Sequence, residues 1–353
     1  MRIAQVSPLF ESVPPKLYGG TERVVSYLTE ELVAQGHDVT LFASADSVTT
    51  AQLVPVCERS LRLDRHCVDQ MSHHVRQIED VYRRASDFDV LHFPIDYLPY
   101  PLSSRMGAAR LTTLHGRLDI PDLQPLYRSF PEEPVVSISD DQRSPLPWLN
   151  WQTTIHHGLP SKLLRLHPRP GQYLAFLGRI SPEKRPDRAI ELARRTGFPL
   201  KIAAKVDRAD KEYFEAKIEP LLKDNPVVEY IGEIGEQEKD EFLGNAAGLL
   251  FPIDWPEPFG LVMIEAMACG TPVVAWRGGS VPEVIEHGGN GFIVENMKEA
   301  EAALGKLASI DRRRCRAIFD ARFSATRMAR DYVEAYRKIS WAMGERESAA
   351  AAS

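Results

Sequence analysis

The chain has 353 residues, of which 44% are hydrophobic and 26% are charged, and its formal net charge is −6. This length suits two ordinary globular domains, and the apolar share can build a buried core in each. The acidic balance argues against a nucleic-acid-binding protein, whose phosphate contacts need a basic face, and no segment approaches the roughly 18 apolar residues of a membrane span. The four cysteines are scattered without a C-x-x-C pair, which argues against a zinc or disulfide framework and favours the reducing cytoplasm as the location.

Short apolar runs alternate with helical patterns along the chain, which predicts parallel sheets covered by helices. In the first half, a helix is predicted from Thr21, as its N-cap, to Gln35, with Gly36 ending it. The predicted strands of this half are Ile3–Val6, Val39–Ala43, Val90–Phe93, Leu111–Leu114, Val135–Ile138 and Thr153–Ile155.

The second half repeats this alternation after a segment without an apolar period. Residues 159–172 are rich in Pro, Arg and Lys and are predicted to be a linker. The predicted strands that follow are Leu174–Leu177, Leu200–Ala204, Val228–Ile231, Gly248–Phe251, Val273–Ala275 and Phe292–Val294.

These patterns predict an α/β protein with two doubly wound domains, residues 1–158 and residues 173–323. A last helical segment, residues 324–345, is expected to pack back on the first domain. Because ligands bind at the carboxyl ends of the strands in this fold class, a binding cleft is expected between the two sheets.

An apolar helix that carries one carboxylate is the most informative segment of the second half. A proline before it and a glycine followed by a proline after it bound the predicted helix from Gly260 to Cys269. A helix that is apolar on every face is buried, so Glu265 within it needs a hydrogen-bonding partner. Glu257 lies eight residues earlier, about 80° away around a continuous helix, so both carboxylates are expected to face one cleft.

The start of this helix is a candidate anion site between the two glutamates. The backbone N–H groups expected to bind an anion there are those of Phe259, Gly260, Leu261 and Val262. Two carboxylates that accept hydrogen bonds from hydroxyl groups, around a helix start that binds phosphate, indicate a nucleotide-sugar pocket. The alternative is a core helix whose single glutamate is satisfied by the backbone.

Three further motifs follow predicted strands. Arg179 and Lys184 lie on the turn after the first strand of the second domain, where they could bind phosphate; the alternative is a solvated basic turn. Gly19 and Gly20 lie on the matching turn of the first domain, where glycines let the backbone approach a ligand. His115 ends another first-domain strand, either as a polar contact or proton acceptor in the cleft or as a structural residue that caps the strand.

Together these motifs resemble the family-4 retaining glycosyltransferases with the GT-B fold, in which two Rossmann-like domains face each other across a cleft. The resemblance rests on the E-x7-E element at Glu257 and Glu265, on the turn from Arg179 to Lys184, and on the glycine pair after the first strand. The segment from Gly270 to Phe292, with Gly-Thr-Pro, Gly-Ser-Val-Pro-Glu and Gly-Asn-Gly, looks like that family too.

The resemblance implies a role for each matching residue. Arg179 and Lys184 would bind the donor diphosphate, Glu265 the ribose hydroxyls, and Glu257 with the amides of residues 259–262 the transferred sugar and its phosphate. Gly20 would approach the diphosphate from the first domain, and His115 would contact the sugar near the reacting carbon. The turn around Ile234 would bind the base through backbone groups.

The resemblance also implies the reaction: transfer of a sugar with retention, by same-face attack, with the leaving phosphate as the base. No cofactor and no metal are then expected, and Asp87-Phe88-Asp89, which has the D-x-D pattern of other glycosyltransferases, is interpreted as a loop. UDP-glucose is the expected donor. The alternatives are a UDP-sugar epimerase and an inactive module that binds sugar nucleotides.

The acceptor is not specified by any motif, and a saccharide, a lipid-linked molecule and a small alcohol stay open. The basic run from Arg312 to Arg316 is interpreted as a solvated helix face, with a membrane-surface patch as the alternative. A peripheral contact with the inner membrane face therefore stays open beside the cytoplasmic location.

Overall fold

The structure is a computed structural model that describes residues 1–16, 19–223 and 225–351, with side chains up to Glu345. The chain forms two compact units. The first contains Met1–Gly158 and the helix that begins at Ala325, and the second contains Leu159–Ser324.

The strands of the first unit form one parallel sheet with the first strand near its middle. They are β1 (Arg2–Val6), β2 (Asp38–Ser44), β3 (Gln52–Cys57), β4 (Val90–Phe93), β5 (Arg110–Thr113), β6 (Val135–Ser137) and β7 (Trp151–Thr154). Their order in the sheet is β3-β2-β1-β4-β5-β6-β7, and Ile3 of β1 is paired with Val39 on one side and Val90 on the other. The chain therefore winds first to one edge of the sheet and then to the other.

The second unit repeats this arrangement. Its strands are β8 (Tyr173–Arg179), β9 (Leu200–Lys205), β10 (Val228–Gly232), β11 (Ala246–Phe251), β12 (Val273–Trp276) and β13 (Gly291–Val294). They are parallel, in the order β10-β9-β8-β11-β12-β13. The order reverses between β8 and β11, and the crevice outside the carboxyl ends of two such strands is where doubly wound sheets bind ligands.

Helices connect the strands in both units. They are α1 (Gly20–Ala34), α2 (Gln70–Arg83), α3 (Tyr100–Ser103), α4 (Leu123–Arg128), α5 (Pro186–Thr196), α6 (Lys211–Tyr213), α7 (Glu219–Leu222), α8 (Glu236–Gly244), α9 (Leu261–Ala268), α10 (Val281–Val284), α11 (Met297–Leu304), α12 (Arg312–Arg322) and α13 (Ala325–Ala351). A π-helical turn at Phe214–Ile218 joins α6 to α7, and 3-10 turns lie at Ala85–Asp87, Asp141–Arg143, Pro182–Lys184, Arg208–Asp210 and Leu307–Ser309.

The α/β prediction is confirmed, and every predicted strand is present with bounds shifted by two residues at most. The strands are apolar runs because helices cover both faces of a parallel sheet, so both sets of side chains are buried. The sequence reading missed β3, a partly exposed edge strand that contains Pro55; a proline lowers the strand signal although it is tolerated at an edge.

The first helix begins earlier than predicted. Thr21 lies inside α1, and Gly19 occupies the N-cap position without a side-chain hydrogen bond, so the prediction of Thr21 as the cap was wrong. A Cβ atom on Gly19 would lie 2.7 Å from Cβ of Pro15, so the close packing of the preceding loop requires glycine there. The inward residues Val24 and Leu28 are buried, as the helical period predicts.

The basic run at the start of α12 is largely structural. Arg312 is 5% exposed, and its guanidinium donates to three main-chain carbonyls at 2.6 to 2.9 Å. Arg316 donates in the same way to three carbonyls, those of Ser161, Leu164 and, at the end of α9, Ala268. The interpretation as a solvated face was therefore wrong for these two residues, because the five N–H donors of a guanidinium can satisfy several buried carbonyls at once.

The last helix, α13, belongs to the first unit, where it packs against α1, β4 and β5. A buried chain of hydrogen bonds fixes it there: the hydroxyl of Tyr336 contacts Nδ1 of His92 at 2.8 Å, and Nε2 of His92 contacts Oγ1 of Thr113 at 2.8 Å. Residues 159–172, the predicted linker, belong to the second unit, where Arg165 is paired with Asp240. Among the described residues, no helix combines the length and the apolar character that a membrane span requires.

Candidate functional site

Two loops at the reversal point of the second sheet bring a predicted cation and a predicted carboxylate together. Lys184 ends the 3-10 turn after β8, and Glu257 lies on the loop between β11 and α9. The ammonium group of Lys184 forms an ion pair with the carboxylate of Glu257, which is only 8% exposed. Trp255 donates from Nε1 to the same carboxylate at 3.0 Å, and Lys184 Nζ lies 5.0 Å from the centre of a Trp255 ring. A phosphate that binds Lys184 would therefore compete with the carboxylate of Glu257.

Arg179, at the end of β8, lies among carboxylates. It forms an ion pair with Glu183, and its guanidinium is 3.4 Å from Asp210 and 3.8 Å from Asp207. An anion that binds Arg179 has to compete with these three groups. The structure therefore makes Lys184, with one carboxylate partner, the more available of the two predicted phosphate ligands.

The loop that carries Glu257 is fixed by the Gly-Gly-Ser segment that follows β12. Ser280 donates its N–H to the carbonyl of Glu257 at 3.0 Å and its hydroxyl to the carbonyl of Phe259 at 2.7 Å. Gly279 has a φ of +52°, and a Cβ atom there would lie 2.2 Å from the Glu257 carbonyl oxygen. Only a glycine at position 279 lets this segment pack so closely against the backbone of Glu257.

The predicted apolar helix is confirmed as α9, with Gly260 as its N-cap and Cys269 as its C-cap. Gly260 has a φ of +78°, and its Cβ would lie 2.8 Å from the ring of Phe251. Leu261 and Val262, in the first turn, are half-buried, and every residue from Met263 to Ala268 is buried. In the first turn, the N–H of Met263 donates to the carbonyl of Gly260 at 3.0 Å, whereas helix geometry gives the N–H groups of Leu261 and Val262 no acceptor within the helix, so these two could bind an anion at this end.

Glu265 is buried in the second turn of α9, and its partner is a cation that the sequence reading missed. Its Oε1 lies 2.6 Å from Nζ of Lys239, and the side chains are 4% and 14% exposed. The alternative interpretation, in which the backbone alone satisfies this glutamate, does not describe this contact. Lys239 stands among glutamates in the polar helix α8, a pattern typical of a solvated surface, so only the packing of α8 on α9 reveals it.

Ile234 lies at the same edge, on the loop between β10 and α8. Its side chain is half-buried. The neighbouring Gly235 donates its N–H to Oε2 of Glu238 at 2.7 Å, which fixes the end of the loop. The role of Ile234 in binding a base stays a prediction.

In the first unit, the predicted residues also follow strands. Gly20 is the exposed first residue of α1, and a Cβ atom there would meet nothing within 4 Å, so its surface is open to a ligand. His115 follows β5; its ring stacks on that of His157 with centroids 5.2 Å apart. His115 keeps part of its surface open, yet burial lowers its pKa to about 3, so the imidazole is neutral at physiological pH.

Asp96 is a second residue that the sequence reading missed. It accepts the backbone N–H of His115 at 3.1 Å and has a φ of +52°, which is rare outside glycine. Burial raises the pKa of its carboxyl group, although backbone hydrogen bonds from His115 and Gly116 oppose this rise. Asp96 therefore fixes the backbone that carries His115.

Among the described residues, no three His, Cys, Asp or Glu side chains are grouped closely enough to hold a metal ion. Asp89 of the D-x-D pattern accepts hydrogen bonds from the backbone N–H and the guanidinium of Arg2, at 2.8 and 2.9 Å. Metal independence stays a prediction.

Two family models match successive parts of the chain. The model described as Glycosyltransferase Family 4 matches residues 18–179, and the model described as Glycosyl transferases group 1 matches residues 165–318. The chain belongs to the family-4 glycosyltransferases. The recognition made from the motifs is confirmed, and so is the assignment of the chain to a class of enzymes that transfer glycosyl groups.

Curated relatives of this glycosyltransferase match it over part of their length. D-inositol 3-phosphate glycosyltransferase of Nocardia farcinica is 31% identical over 196 residues, which are 49% of this chain and 42% of the relative. N-acetyl-alpha-D-glucosaminyl L-malate synthase of Bacillus anthracis is 37% identical over 75 residues, which are 21% of this chain and 20% of the relative. The matched part is thus less than half the length of each of these relatives.

Solved structures match nearly the whole chain and confirm the GT-B fold. AviGT4, a glycosyltransferase involved in avilamycin A biosynthesis, has a TM-score of 0.73 and 24% identity, over 96% of this chain and 98% of its own. Anabaena HepE, in complex with UDP and glucose, has a TM-score of 0.74 and 17% identity, over 96% and 100%. Sucrose-phosphate synthase from Thermosynechococcus elongatus has a TM-score of 0.78 and 18% identity, over 97% and 100%. At these identities the likeness concerns the fold.

Proposed function

We propose that this family-4 glycosyltransferase moves a hexose from a nucleotide-diphosphate sugar, with UDP-glucose as the donor, to an acceptor hydroxyl, with retention and without a metal. The observation that carries the proposal is the ion pair of Lys184 and Glu257 beside the start of α9, at the reversal point of the second sheet. This edge presents a cation, two carboxylates and the N–H groups of Leu261 and Val262, the chemistry that a sugar diphosphate needs. The UDP and glucose bound by the structurally similar HepE support the choice of donor.

Donor binding would exchange ion-pair partners in the second unit. The diphosphate would take the ammonium group of Lys184 and the first-turn N–H groups of α9, with Arg179 as a further ligand. Glu257, released from Lys184, would accept hydrogen bonds from the transferred sugar. Glu265 would accept hydrogen bonds from the ribose hydroxyls, while Lys239 keeps its charge compensated, and the backbone around Ile234 would contact the base.

In the transfer step, the bond from the anomeric carbon to the leaving phosphate oxygen breaks, and a bond to the acceptor oxygen forms on the same face. The acceptor proton passes to a phosphate oxygen of the leaving nucleoside diphosphate, so no protein nucleophile is required. Lys184 and Arg179 would stabilise the charge that develops on the leaving group. No divalent ion is then needed for charge neutralisation.

Two residues of the first unit, Gly20 and His115, are further proposed contacts of the donor. Gly20, with its open surface, would let backbone N–H groups approach the diphosphate. His115, neutral at physiological pH, would exchange a hydrogen bond with the sugar near the reacting carbon and would not act as a charged acid. The acceptor, whether a saccharide, a lipid-linked molecule or a small alcohol, would bind loops of this unit. The scattered cysteines support a cytoplasmic location.

Incubation of the protein with radiolabelled UDP-glucose and a panel of acceptors tests the proposal. Release of UDP together with a labelled acceptor supports it, and the anomeric configuration of that product, measured by NMR, tests retention. A changed sugar still attached to UDP would indicate an epimerase, and UDP-glucose binding without turnover across the panel would indicate an inactive module. Lys184→Ala serves as the negative control.

A further inference from the structure

Arg185, the residue after Lys184, has an unusual backbone conformation. Its φ and ψ are both 52°, in the left-handed region, where glycine is the residue without strain. Among the described residues other than glycine, Asp96 is the only other with a positive φ. A strained conformation persists where surrounding contacts fix it, and such residues concentrate at functional sites.

The side chain of Arg185 makes the contacts that fix it. Its Nη1 donates to Oδ2 of Asp254 at 2.6 Å, and its Nε and Nη2 donate to the carboxylate of Asp187 at 2.9 to 3.2 Å. Asp254 also lies 3.5 Å from Arg188, which donates to two carbonyls of the same loop at 3.1 Å. Isolated surface ion pairs contribute little, but a network of two guanidinium groups and two carboxylates fixes geometry more firmly.

The contacts of Arg185 join the two loops that carry the proposed donor ligands. Asp187 lies two residues after Arg185, at the start of α5. Asp254 lies on the loop after β11, three residues before Glu257. The backbone N–H of Asp254 donates to the carbonyl of Glu183 at 2.9 Å. Three successive residues of the turn after β8 thus contact the β11 loop: Glu183 and Arg185 contact Asp254, and Lys184 between them is paired with Glu257.

We propose that Arg185 is a positioning residue for the donor: by linking the β8 turn to Asp254, it keeps Lys184 aimed at the diphosphate. The inference rests on the proposed function, since a diphosphate that draws Lys184 away from Glu257 removes one link between the loops. The link from Arg185 to Asp254 then keeps the two loops in register. Arg185 itself does not contact the donor, and an arginine occupies a position that suits glycine because its side chain is needed for this link.

Arg185→Gly tests the inference, because glycine accepts the left-handed backbone while the link is lost. We expect the Kd of UDP, measured by isothermal titration calorimetry on the full chain, to rise about tenfold through the lost preorganisation. The melting temperature should stay within the change that a matched control shows. Arg194→Ala is that control, since it removes an exposed ion pair with Glu191 on α5, away from both loops.

For Asp254→Asn, the direction in which the Kd of UDP changes distinguishes a positioning role from a purely electrostatic effect. Neutralising an aspartate near an anion site should tighten UDP binding if only charge matters, whereas loss of the link should weaken it. We expect Asp254→Asn to raise the Kd nearly as much as Arg185→Gly, and the double variant to be no worse than the worse single variant, because both changes break one link. Arg185→Lys, which keeps the charge but can bind only one carboxylate well, should recover part of the affinity.

The outcomes separate this inference from the proposed function. If the wild type binds UDP and Arg185→Gly binds it equally well, or if Asp254→Asn binds it more tightly, the positioning role is wrong and the proposed function stands. If Arg185→Lys binds UDP as the wild type does while Asp254→Asn leaves the Kd unchanged, Arg185 acts as a direct phosphate ligand and the inference fails. If the wild type binds no UDP while remaining folded, the proposed donor and this inference both fail.

Discussion

The ion pair between Glu265 and Lys239 makes Glu265→Gln a variant with two separable effects. The sequence alone suggests that glutamine, which keeps the size and most of the hydrogen-bonding capacity, leaves folding undisturbed. In the structure, Glu265 places its negative charge 2.6 Å from Nζ of Lys239, whose side chain is only 14% exposed. The substitution removes this charge and leaves the ammonium group without a counter-ion. We therefore expect both the stability of the second unit and the donor affinity to fall.

The magnitudes follow from the burial of the pair. Breaking a buried ion pair by removing one partner costs about 3–5 kcal/mol, and since the glutamine oxygen still accepts a hydrogen bond, we expect about 2–3 kcal/mol here. Little solvent reaches a pair whose side chains are 4% and 14% exposed, so screening does not remove this cost. Loss of a charge-assisted contact to the ribose should raise the donor KM about tenfold while kcat changes little, because ground state and transition state lose the same contact.

Urea unfolding and steady-state kinetics with varied donor measure the two effects. The double variant Glu265→Gln with Lys239→Met removes both charges, so its free energy of unfolding should recover most of the loss, while its donor KM stays high. If the double variant is as unstable as the sum of the two single variants, the ion pair does not form in solution. If Glu265→Gln leaves the donor KM unchanged, Glu265 does not bind the ribose.

Four further predictions concern the same molecule. Lys184→Ala should lower kcat by about 10²–10³, as expected for a lost charge-stabilising group, and Arg179→Ala should cost less because three carboxylates already surround Arg179; UDP-release rates that rank them the other way would contradict this. UDP release should continue in EDTA, and activity lost to the chelator and restored by magnesium or manganese would contradict metal independence. Gly279→Ala should reduce turnover far more than Gly288→Ala. Both glycines have a positive φ, but only at Gly279 would a Cβ atom lie 2.2 Å from the carbonyl oxygen of Glu257. Equal turnover of the two variants would contradict the steric account. Burial lowers the pKa of His92, which is 1% exposed, to about 3, so this histidine takes up a proton in the unfolded chain between about pH 6.5 and pH 3 but not in the folded one; the free energy of unfolding should therefore fall as the pH is lowered through this window, by about 1.4 kcal/mol per pH unit for each such histidine, and equal stability at pH 7.5 and pH 5 in urea titrations would contradict this.

Local chemistry explains how far the fold was predictable. Strand β12, with the sequence Val-Val-Ala-Trp, is wholly apolar, and helix α9 is apolar except for Glu265. Glycine and proline bound both elements and act through local backbone geometry, so both could be predicted from the sequence. The edge strand β3 was missed because its burial is partial and its sequence contains Pro55. Arg312 was misread because a run of arginines resembles a solvated face until the carbonyls that it satisfies are in place.

By itself, the sequence determined the α/β fold, the family, and the candidate donor residues that sit directly after strands or at helix ends. These features depend on residues close together in the chain, where spacing alone sets the geometry. Only the tertiary structure decided the partners: Lys239 for Glu265, Lys184 for Glu257, and Asp254 for Arg185. Such contacts join segments that are brought together by the packing of different strands and helices, and a charged side chain gives no local sign of which distant group it will meet.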